Sequence, residues 1–336
     1  MMQFIYAEEA ILDDPHTQTL IKRFKKSTLI PVKHYGEVFN RKGQNFRLQK
    51  QQPALILARK NNELVLPAPA GYGIGGNHNY YFSHMLNCVY DCRYCFLQGM
   101  YRSANYVIFI NFNDFKQAIL DTAANHPGEQ TWFYSGYDCD SLAYEPVTNF
   151  AQTFLPLFDG HANAWLELRT KSTQIRNLLE RDALDNVVVA YSFTPEAISQ
   201  VYEQGVPSVD KRIEAMLKLQ NKGWKLGLRF DPMIYHPDYQ QQYSDLFQKI
   251  FARIDPAAVH SVSLGAFRIP KGFYQNVALL YPDSALFAHN MENTAGMMSY
   301  PIGLEKAMLE YCHQQLLEVI PKSIFFTCTP PSKEAP

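Results

Sequence analysis

The chain has 336 residues, of which 47% are hydrophobic, and its formal net charge is −1. This composition supports a large buried core and excludes an intrinsically disordered chain. No segment reaches the roughly 18 consecutive apolar residues of a membrane span, and the first residues lack the layout of a secretory signal, so we expect a cytoplasmic protein.

The first part of the chain contains a basic segment. Residues 21–60 carry eleven Lys or Arg and a single acid, Glu37, so the rest of the chain is acidic. Such a segment is typical of an arm that binds a polyanion, and a basic surface without a ligand is an equally open alternative. We predict that residues 1–75 form an N-terminal basic extension that packs on the next domain. Its basic residues are Lys22, Arg23, Lys25, Lys26, Lys33, Arg41, Lys42, Arg47, Lys50, Arg59 and Lys60.

A glycine-rich stretch at 71–76 leads from this segment to three clustered cysteines. No helix pattern follows the glycines, which argues against a dinucleotide-binding motif and predicts a flexible approach to a site. Cys88, Cys92 and Cys95 have the spacing CxxxCxxC. Three thiolates on one short loop can hold one soft metal centre. A 4Fe–4S cluster normally has four cysteine ligands, so three would leave one iron open, as in catalytic metal sites.

Two alternatives to a cluster are open at this point. Structural zinc would need a fourth ligand, for which His78 and His84 are candidates. The cysteines could also carry no ligand, although buried structural cysteines rarely cluster in this way. Tyr94, directly before the third cysteine, favours the cluster because its ring can shield the site and pack against an adenine.

Beyond Cys95, strand-like and helix-like segments alternate. β-Branched and aromatic residues predict strands at 106–110, 131–135, 165–169, 187–192, 225–230 and 261–267. Helical patterns and their caps predict helices at 114–124, 147–158, 173–180, 196–204, 209–221 and 239–253. This alternation predicts a parallel α/β sheet with right-handed crossovers, either a barrel or a doubly wound sheet.

Polar residues stand where the predicted strands end. Because the carboxyl ends of parallel strands carry the chemistry of a barrel, successive polar ends predict a single active-site rim. Acids on the loop after the 131–135 strand, Asp140 and Glu145, either bind a substrate or cap the next helix. The strand-end residues are Ser135, Gly136, Tyr137, Asp138, Thr170, Lys171, Ser172, Ser192, Asp231 and Arg268.

The cysteine loop and five later blocks resemble one known family. Residues 92–98, Cys-Arg-Tyr-Cys-Phe-Leu-Gln, resemble the cysteine loop of the spore photoproduct lyase family in the radical S-adenosylmethionine superfamily. Matching blocks follow in the family's order, and the resemblance spans about residues 5–330. These blocks are ELRTKS at 167–172, YSFTPE at 191–196, YEQGVPS at 202–208 followed by Arg212 and Ala215, LRFDPM at 228–233 and SLGAFR at 263–268.

The resemblance implies a fold and two cofactors. The fold would be a partial (β/α)6 barrel over residues 76–330, ending in a helix and a strand. Cys88, Cys92 and Cys95 would hold a 4Fe–4S cluster. S-adenosylmethionine would bind the open iron and, on receiving an electron, release a 5′-deoxyadenosyl radical.

The resemblance also implies which residues contact S-adenosylmethionine. Tyr94 would stack on the adenine, and Lys171 would meet the carboxylate. Ser192 would contact the nucleoside, and Ser135 with Gly136 the methionyl end. Local alternatives are an ordinary surface cation for Lys171 and a helix cap ahead of Pro195 for Ser192.

The best-known reaction of this family reverses a thymine dimer of spore DNA. The resemblance therefore implies DNA as a partner, with the lesion flipped into the pocket and phosphates contacted by the basic segment. An electron donor such as flavodoxin or ferredoxin is a second implied partner. A different substrate, such as a modified base, a peptide or a small metabolite, is the alternative, as is a zinc-stabilised nucleic-acid-binding protein without catalysis.

Two residues depart from the family's pattern. Phe96 stands where the family has a tyrosine that helps to relay hydrogen, and Tyr137 stands where it has the hydrogen-donating cysteine. Cys139, two residues later, is the predicted donor, and a bystander thiol is the alternative. With Tyr94 it completes the predicted catalytic residues. Cys312 and Cys328 are expected in the core.

Overall fold

The computed structural model describes residues 2–69 and 71–327, and Cys328 lies outside them. The longest strands of the described chain all lie between residues 164 and 266. The strands are β1 (Phe4–Glu8), β2 (Thr28–Val32), β3 (Leu55–Ala58), β4 (Leu66–Pro67), β5 (His78–Tyr81), β6 (Met85–Leu86), β7 (Asp91–Cys92), β8 (Tyr106–Phe109), β9 (Thr131–Tyr134), β10 (Ala164–Thr170), β11 (Val187–Ser192), β12 (Glu203–Gln204), β13 (Lys225–Met233), β14 (Val259–Ala266), β15 (Arg268–Pro270), β16 (Glu292–Thr294), β17 (Met297–Ser299) and β18 (Phe325–Thr327).

Helices alternate with these strands. They are α1 (Pro15–Arg23), α2 (Phe46–Gln51), α3 (Leu97–Met100), α4 (Phe112–Ala124), α5 (Glu145–Thr148), α6 (Phe150–Phe158), α7 (Arg176–Leu179), α8 (Glu196–Tyr202), α9 (Val209–Asn221), α10 (Tyr239–Phe251), α11 (Lys271–Leu280) and α12 (Ile302–Leu317). Within the described part of the chain, no helix is long and apolar enough to cross a membrane.

The larger sheet is a curled half-barrel, and it confirms the predicted partial barrel. Its strand order is β18-β14-β13-β11-β10-β9-β5-β4. Neighbours from β5 to β18 are parallel, and only β4 at the edge is antiparallel. Strand–helix alternation produces this arrangement because each parallel strand needs a crossover, and the crossover helices cover the outer face of the sheet.

The two faces of the half-barrel differ in their packing. Phe133 on β9 joins the main core together with Phe154 of α6. Its neighbours Trp132 and Tyr134 point the other way and pack with Ile74 in a separate cluster on the inner face. The glycine-rich stretch predicted as a flexible approach therefore lies against the inner face, where the Ile74 amide donates to the Tyr134 hydroxyl at 3.3 Å.

A second sheet contains the basic N-terminal segment. Its order is β2-β1-β3-β8-β6, and β1, β2, β3 and β8 are parallel. The prediction that β8 belongs to the barrel series is wrong, because β8 pairs with β3 instead. Both strands are buried and apolar, so their composition suits either sheet, and only the pairing partner decides. The boundary at residue 75 stays a prediction; the second sheet takes strands from both sides of it.

Most predicted helices are confirmed, and two differ in ways that matter. Helix α9 has the predicted bounds, with Ser208 accepting the Lys211 amide as its N-cap. The helix predicted at 147–158 is interrupted at Asn149, whose φ of 48° is left-handed, a conformation that asparagine tolerates. The helix predicted at 196–204 ends at Tyr202, and its last two residues form β12, which pairs with β7 in the cysteine loop. Cys312 is buried in α12, as expected.

Candidate active site

The three clustered cysteines lie on the loop that runs from β6 through β7 to α3. Cys92 is buried, Cys88 and Cys95 are half-buried, and none of them forms a disulfide. The Cys95 amide donates to the Cys92 carbonyl oxygen at 3.0 Å, and the Gln98 side chain donates to the same oxygen at 2.7 Å. The backbone of the loop is thus held in a tight turn by its own amide and by α3.

The donor set fits an iron–sulfur cluster. Burial raises the pKa of all three thiols, that of Cys88 to about 12, so thiolates need a bound cation here. Backbone amides of Tyr90 and Leu97 donate to the sulfurs of Cys88 and Cys95, which favours anionic sulfur. Among residues 2–69 and 71–327, no three His, Cys, Asp or Glu side chains converge on one ion. A cuboidal cluster does not require this convergence, because each cysteine binds a different iron.

The two histidines considered as zinc ligands are engaged elsewhere. His78 Nε2 lies 2.9 Å from a carboxylate oxygen of Glu129. His84 stacks on Phe150 with 3.7 Å between the ring centroids, and burial lowers its pKa to about 3. Neither side chain therefore supplies the fourth ligand that structural zinc would need.

A buried carboxylate, Glu203, joins four polar side chains beside the cysteine loop, and we call these five residues the Glu203 network. The Tyr94 hydroxyl donates to Glu203. Arg212 donates to it at 2.9 Å, Ser199 at 2.7 Å, and Lys171 Nζ lies 3.8 Å away. The pairing of β12 with β7 positions Glu203 opposite Cys92. The network therefore lies next to the middle cysteine, across the pair of strands β7 and β12.

Both charges at the centre of this network are stabilised by their partners. Burial would raise the pKa of Glu203, but Lys171 and Arg212 hold it below the ordinary value. Burial would lower the pKa of Lys171, but Cys92 and Glu203 raise it above the ordinary value. The carboxylate is thus ionised and the ammonium charged, and the Tyr94 hydroxyl, whose pKa is raised by burial and Glu203, remains a donor.

Lys171 is part of a fixed turn at the end of β10. Its ammonium lies 5.4 Å from the centroid of the Tyr94 ring, so it is not an ordinary surface cation. Asp140 holds the turn by accepting from the Thr170 hydroxyl and from the Lys171 amide, both at 2.6 Å. Glu145 accepts from the Ala151 amide at 2.9 Å. Both acids are therefore structural caps rather than groups aimed into an open pocket.

Ser192 connects the Glu203 network to the inner face of the barrel. Its carbonyl oxygen accepts from Arg212 at 2.9 Å, and its hydroxyl accepts from Arg169 Nε at 3.2 Å. Arg169 also pairs with Asp231 at the end of β13. Ser192 does not cap α8, whose N-cap residue is Pro195, so the alternative role considered for this serine is wrong.

Ser135 and Gly136 follow β9 and lie against β10. A Cβ on Gly136 would lie 2.8 Å from Arg169 Cβ and 2.9 Å from the Arg169 carbonyl oxygen, so only glycine fits this close approach. The Ser135 hydroxyl donates to the Glu167 carbonyl oxygen at 3.1 Å and lies 2.8 Å from Ser141 Oγ. The turn is thus packed directly onto β10, the strand that ends one residue before Lys171.

Cys139, the predicted hydrogen donor, is buried on the same loop, three residues after Gly136. Its side chain is 5% exposed and packs in the core of the second sheet with Met85. Its sulfur is 3.9 Å from the Ser135 carbonyl oxygen. Tyr137 instead lies beside Phe96, with 5.6 Å between the ring centroids. The two departures from the family's pattern are therefore neighbours in space.

The basic segment divides into two sets of residues. Arg47 pairs with Asp91, Arg59 pairs with Asp114, Lys50 bonds the cysteine loop, and the half-buried Lys60 ammonium lies 5.7 Å from the centroid of the Phe109 ring, so these residues are used within the protein. The other set is exposed on the N-terminal unit. It comprises Lys22, Arg23, Lys25, Lys26, Lys33, Arg41 and Lys42.

Sequence reasoning assigned no role to Glu203, Arg212 or Lys50. One signal was available for Arg212, which occupies an apolar position of α9 between Val209 and Met216 and is fully buried. A buried arginine requires a partner, which would have directed attention to a carboxylate. No comparable signal exists for Lys50, which is one of several basic residues in its segment.

Comparison with known proteins identifies the family that the cysteine loop and the later sequence blocks resemble. The sequence profile described as "Spore photoproduct lyase" matches residues 1–314. A spore photoproduct lyase of Bacillus subtilis is 24% identical over 272 residues, which cover 78% of this chain and 76% of that protein. A second one, from Geobacillus, is 25% identical over 170 residues, half of each chain.

Solved structures show the same fold. A spore photoproduct lyase double mutant with bound AdoMet and dinucleoside spore photoproduct superposes with a TM-score of 0.82, at 18% identity, over 98% of both chains. A single mutant of that enzyme with the dinucleoside gives 0.83 over the same share. The half-barrel and the second sheet together therefore match these structures over nearly their whole length.

Proposed function

Since the chain belongs to the spore photoproduct lyase family, we propose that it is a radical S-adenosylmethionine enzyme that repairs a thymine photoproduct in DNA. The observation that carries the proposal is the pairing of the CxxxCxxC loop with β12, which places the buried Glu203 network beside Cys92. When bound, a 4Fe–4S cluster and S-adenosylmethionine supply the 5′-deoxyadenosyl radical. The chain's own residues hold these groups, orient the lesion and exclude water.

In this proposal Cys88, Cys92 and Cys95 hold the cluster. The support is chemical: three free thiols on one loop, two of them accepting backbone amides, with burial that disfavours thiolates unless a cation is bound. The electron donor we propose is flavodoxin or ferredoxin. The cytoplasm is the proposed location, since the proposed substrate is DNA.

Four places around the Glu203 network would hold S-adenosylmethionine. Tyr94 would stack on the adenine, with its ring fixed by the bond from its hydroxyl to Glu203. Lys171, now 3.8 Å from Glu203, would pair with the carboxylate of the cofactor. Ser192 would contact the nucleoside, and Ser135 with Gly136 the methionyl end. Arg212 supports this assignment because it ties Ser192 directly to Glu203.

The first test measures repair directly. Anaerobically reconstituted, reduced protein is incubated with S-adenosylmethionine and dinucleoside spore photoproduct, and thymine dinucleoside and 5′-deoxyadenosine are quantified together. We expect both products. Formation of 5′-deoxyadenosine without repair would favour the second candidate function, a radical enzyme with another substrate, which Phe96 and Tyr137 favour. A colourless protein containing zinc would overturn the proposal.

The role of Cys139 can be tested in the same assay. Its thiol is buried in the core of the second sheet with Met85, which argues against hydrogen donation. We therefore expect Cys139→Ala to keep repair within about threefold of wild type, with Cys312→Ala as the control for loss of a buried thiol. Normal 5′-deoxyadenosine formation with lost repair in Cys139→Ala alone would identify Cys139 as the donor, as the sequence predicts.

We also propose that the exposed basic residues contact DNA phosphates. Lys25, Lys26, Arg41 and Lys42 are exposed, so their charges are available to a polyanion. Each phosphate contact contributes about 0.9 to the slope of log K against log salt. Charge reversal at all four should weaken DNA binding at low salt at least about tenfold and flatten the slope by up to about 3.6. Binding by fluorescence anisotropy over a salt series measures both.

A control for this experiment changes the same number of charges elsewhere. Lys218, Lys222, Lys225 and Lys249 lie on the barrel, and each pairs with an acid. Reversing these four should leave the salt slope close to that of wild type. Equal effects of both sets would mean that DNA responds only to net charge, and the basic segment would have no special role.

A further inference from the structure

A lysine from the N-terminal unit is bonded to the backbone of the cysteine loop. Lys50, at the end of α2, donates from Nζ to the Cys88 carbonyl oxygen at 2.7 Å and to the Tyr90 carbonyl oxygen at 3.0 Å. Its ammonium also lies 5.5 Å from the centroid of the Tyr106 ring. The cation therefore touches the loop on both sides of residue 89.

The position of this ammonium is fixed by the rest of α2. Asn45 caps the helix by accepting the Leu48 amide at 3.0 Å. Arg47 pairs with Asp91 of the same loop at 3.0 Å, and Gln49 accepts the Ala104 amide at 2.9 Å. Arg47 thus holds the helix against the cysteine loop, and Gln49 holds it against the segment that follows α3. The Lys50 ammonium is thus held in one position by its backbone contacts, unlike the ammonium of a freely moving surface lysine.

The charge of Lys50 is not neutralised locally. Its two partners are carbonyl oxygens, and no carboxylate of the described residues lies within ion-pair distance of Nζ. A half-buried cation acts more strongly on its neighbours than an exposed one, because water screens it less.

We propose that Lys50 is a positioning residue for the cluster that Cys88, Cys92 and Cys95 are proposed to hold, and that its charge makes this cluster easier to reduce. The inference rests on the proposed function. Reduction adds one negative charge to the cluster, and a fixed cation bonded to the backbone of one of its ligands, Cys88, stabilises the reduced form. Arg47 does not share this role, because Asp91 neutralises it.

The test compares Lys50→Met, Lys50→Arg and a control, Lys306→Met, which removes an exposed lysine of α12. The reduction potential of each reconstituted protein is measured by titration followed by electron paramagnetic resonance, and iron is counted. At a fixed potential, Lys50→Met should have a reduced-to-oxidised ratio about tenfold lower than wild type, a shift of about 59 mV to more negative values. Lys50→Arg should lie close to wild type, because it keeps the charge.

Each other outcome has a definite meaning. Equal potentials for wild type, Lys50→Met and Lys306→Met would overturn the proposal for Lys50. If Lys50→Met folds but takes up no iron and Lys50→Arg takes up the full amount, the positioning role is supported; failure of both variants to take up iron would overturn the role of charge. Absence of a cluster from wild type would overturn the proposed function itself, which is a separate result.

Discussion

Replacing Cys92 with alanine is expected to abolish both the brown absorption of the reconstituted protein and the cleavage of S-adenosylmethionine. Cys92 is the buried middle cysteine of the loop, and its carbonyl oxygen accepts from Gln98 and from the Cys95 amide. Two remaining cysteines cannot hold a cluster that is already one ligand short of the usual four. Iron analysis should fall from about four atoms per chain towards zero.

The control for this variant is Cys312→Ala, which removes another buried thiol. Cys312 lies in α12 and packs in the main core, so its loss should lower stability without removing iron. Circular dichroism of both variants separates unfolding from loss of the cluster. A Cys92→Ala protein that keeps its iron and cleaves S-adenosylmethionine at the wild-type rate would contradict the assignment of all three cysteines.

Replacing Arg212 with methionine is expected to have the largest effect on stability. Arg212 is fully buried and donates to Glu203 at 2.9 Å, to the Ser192 carbonyl oxygen at 2.9 Å and to Ser199 at 2.8 Å. Its loss leaves the Glu203 carboxylate buried with only Lys171 as a cation. Breaking one partner of a buried pair costs about 3–5 kcal/mol in the free energy of unfolding. Urea unfolding of the protein without cofactors measures this cost.

The same variant should weaken binding of S-adenosylmethionine. Arg212 is the link between Ser192 and Glu203, so its loss releases the proposed nucleoside contact, Ser192, from the carboxylate that fixes Tyr94 and Lys171. Hydrogen bonds to charged groups contribute about 1.5–3 kcal/mol, which corresponds to a dissociation constant about ten- to a hundredfold higher. Equilibrium binding to the reconstituted protein, measured where the variant is still folded, gives this ratio.

A matched control exists on the outside of the barrel. Arg253 forms an ion pair with Glu214 of α9, the helix that carries Arg212, and both side chains of this pair are exposed. Exposed pairs contribute about 0–1 kcal/mol, so Arg253→Met should change stability and cofactor binding little. If Arg212→Met were no more costly than Arg253→Met, the Glu203 network would not be a centre of stability.

Much of the fold was predictable because its signals are local. Helix α9 has the bounds that its pattern indicated, because an N-cap serine and a glycine after its end lie within a few residues of it. Strand β11 was placed correctly for a similar reason, since its run of β-branched residues is buried on both faces. β5 was missed because its sequence, HNYY, has neither that composition nor a clear alternation.

The sequence by itself determined the cysteine loop, the strand–helix alternation and the strand-end residues that include Lys171 and Ser192. These follow from spacing and periodicity, which are properties of neighbours in the chain. Only the tertiary structure decided that β8 joins the second sheet, that Cys139 is buried in the core of that sheet, and that Glu203, Arg212 and Lys50 surround the cysteine loop. The physical reason is that these contacts join residues far apart in sequence, through pairings such as β7 with β12, and no local pattern specifies such a partner.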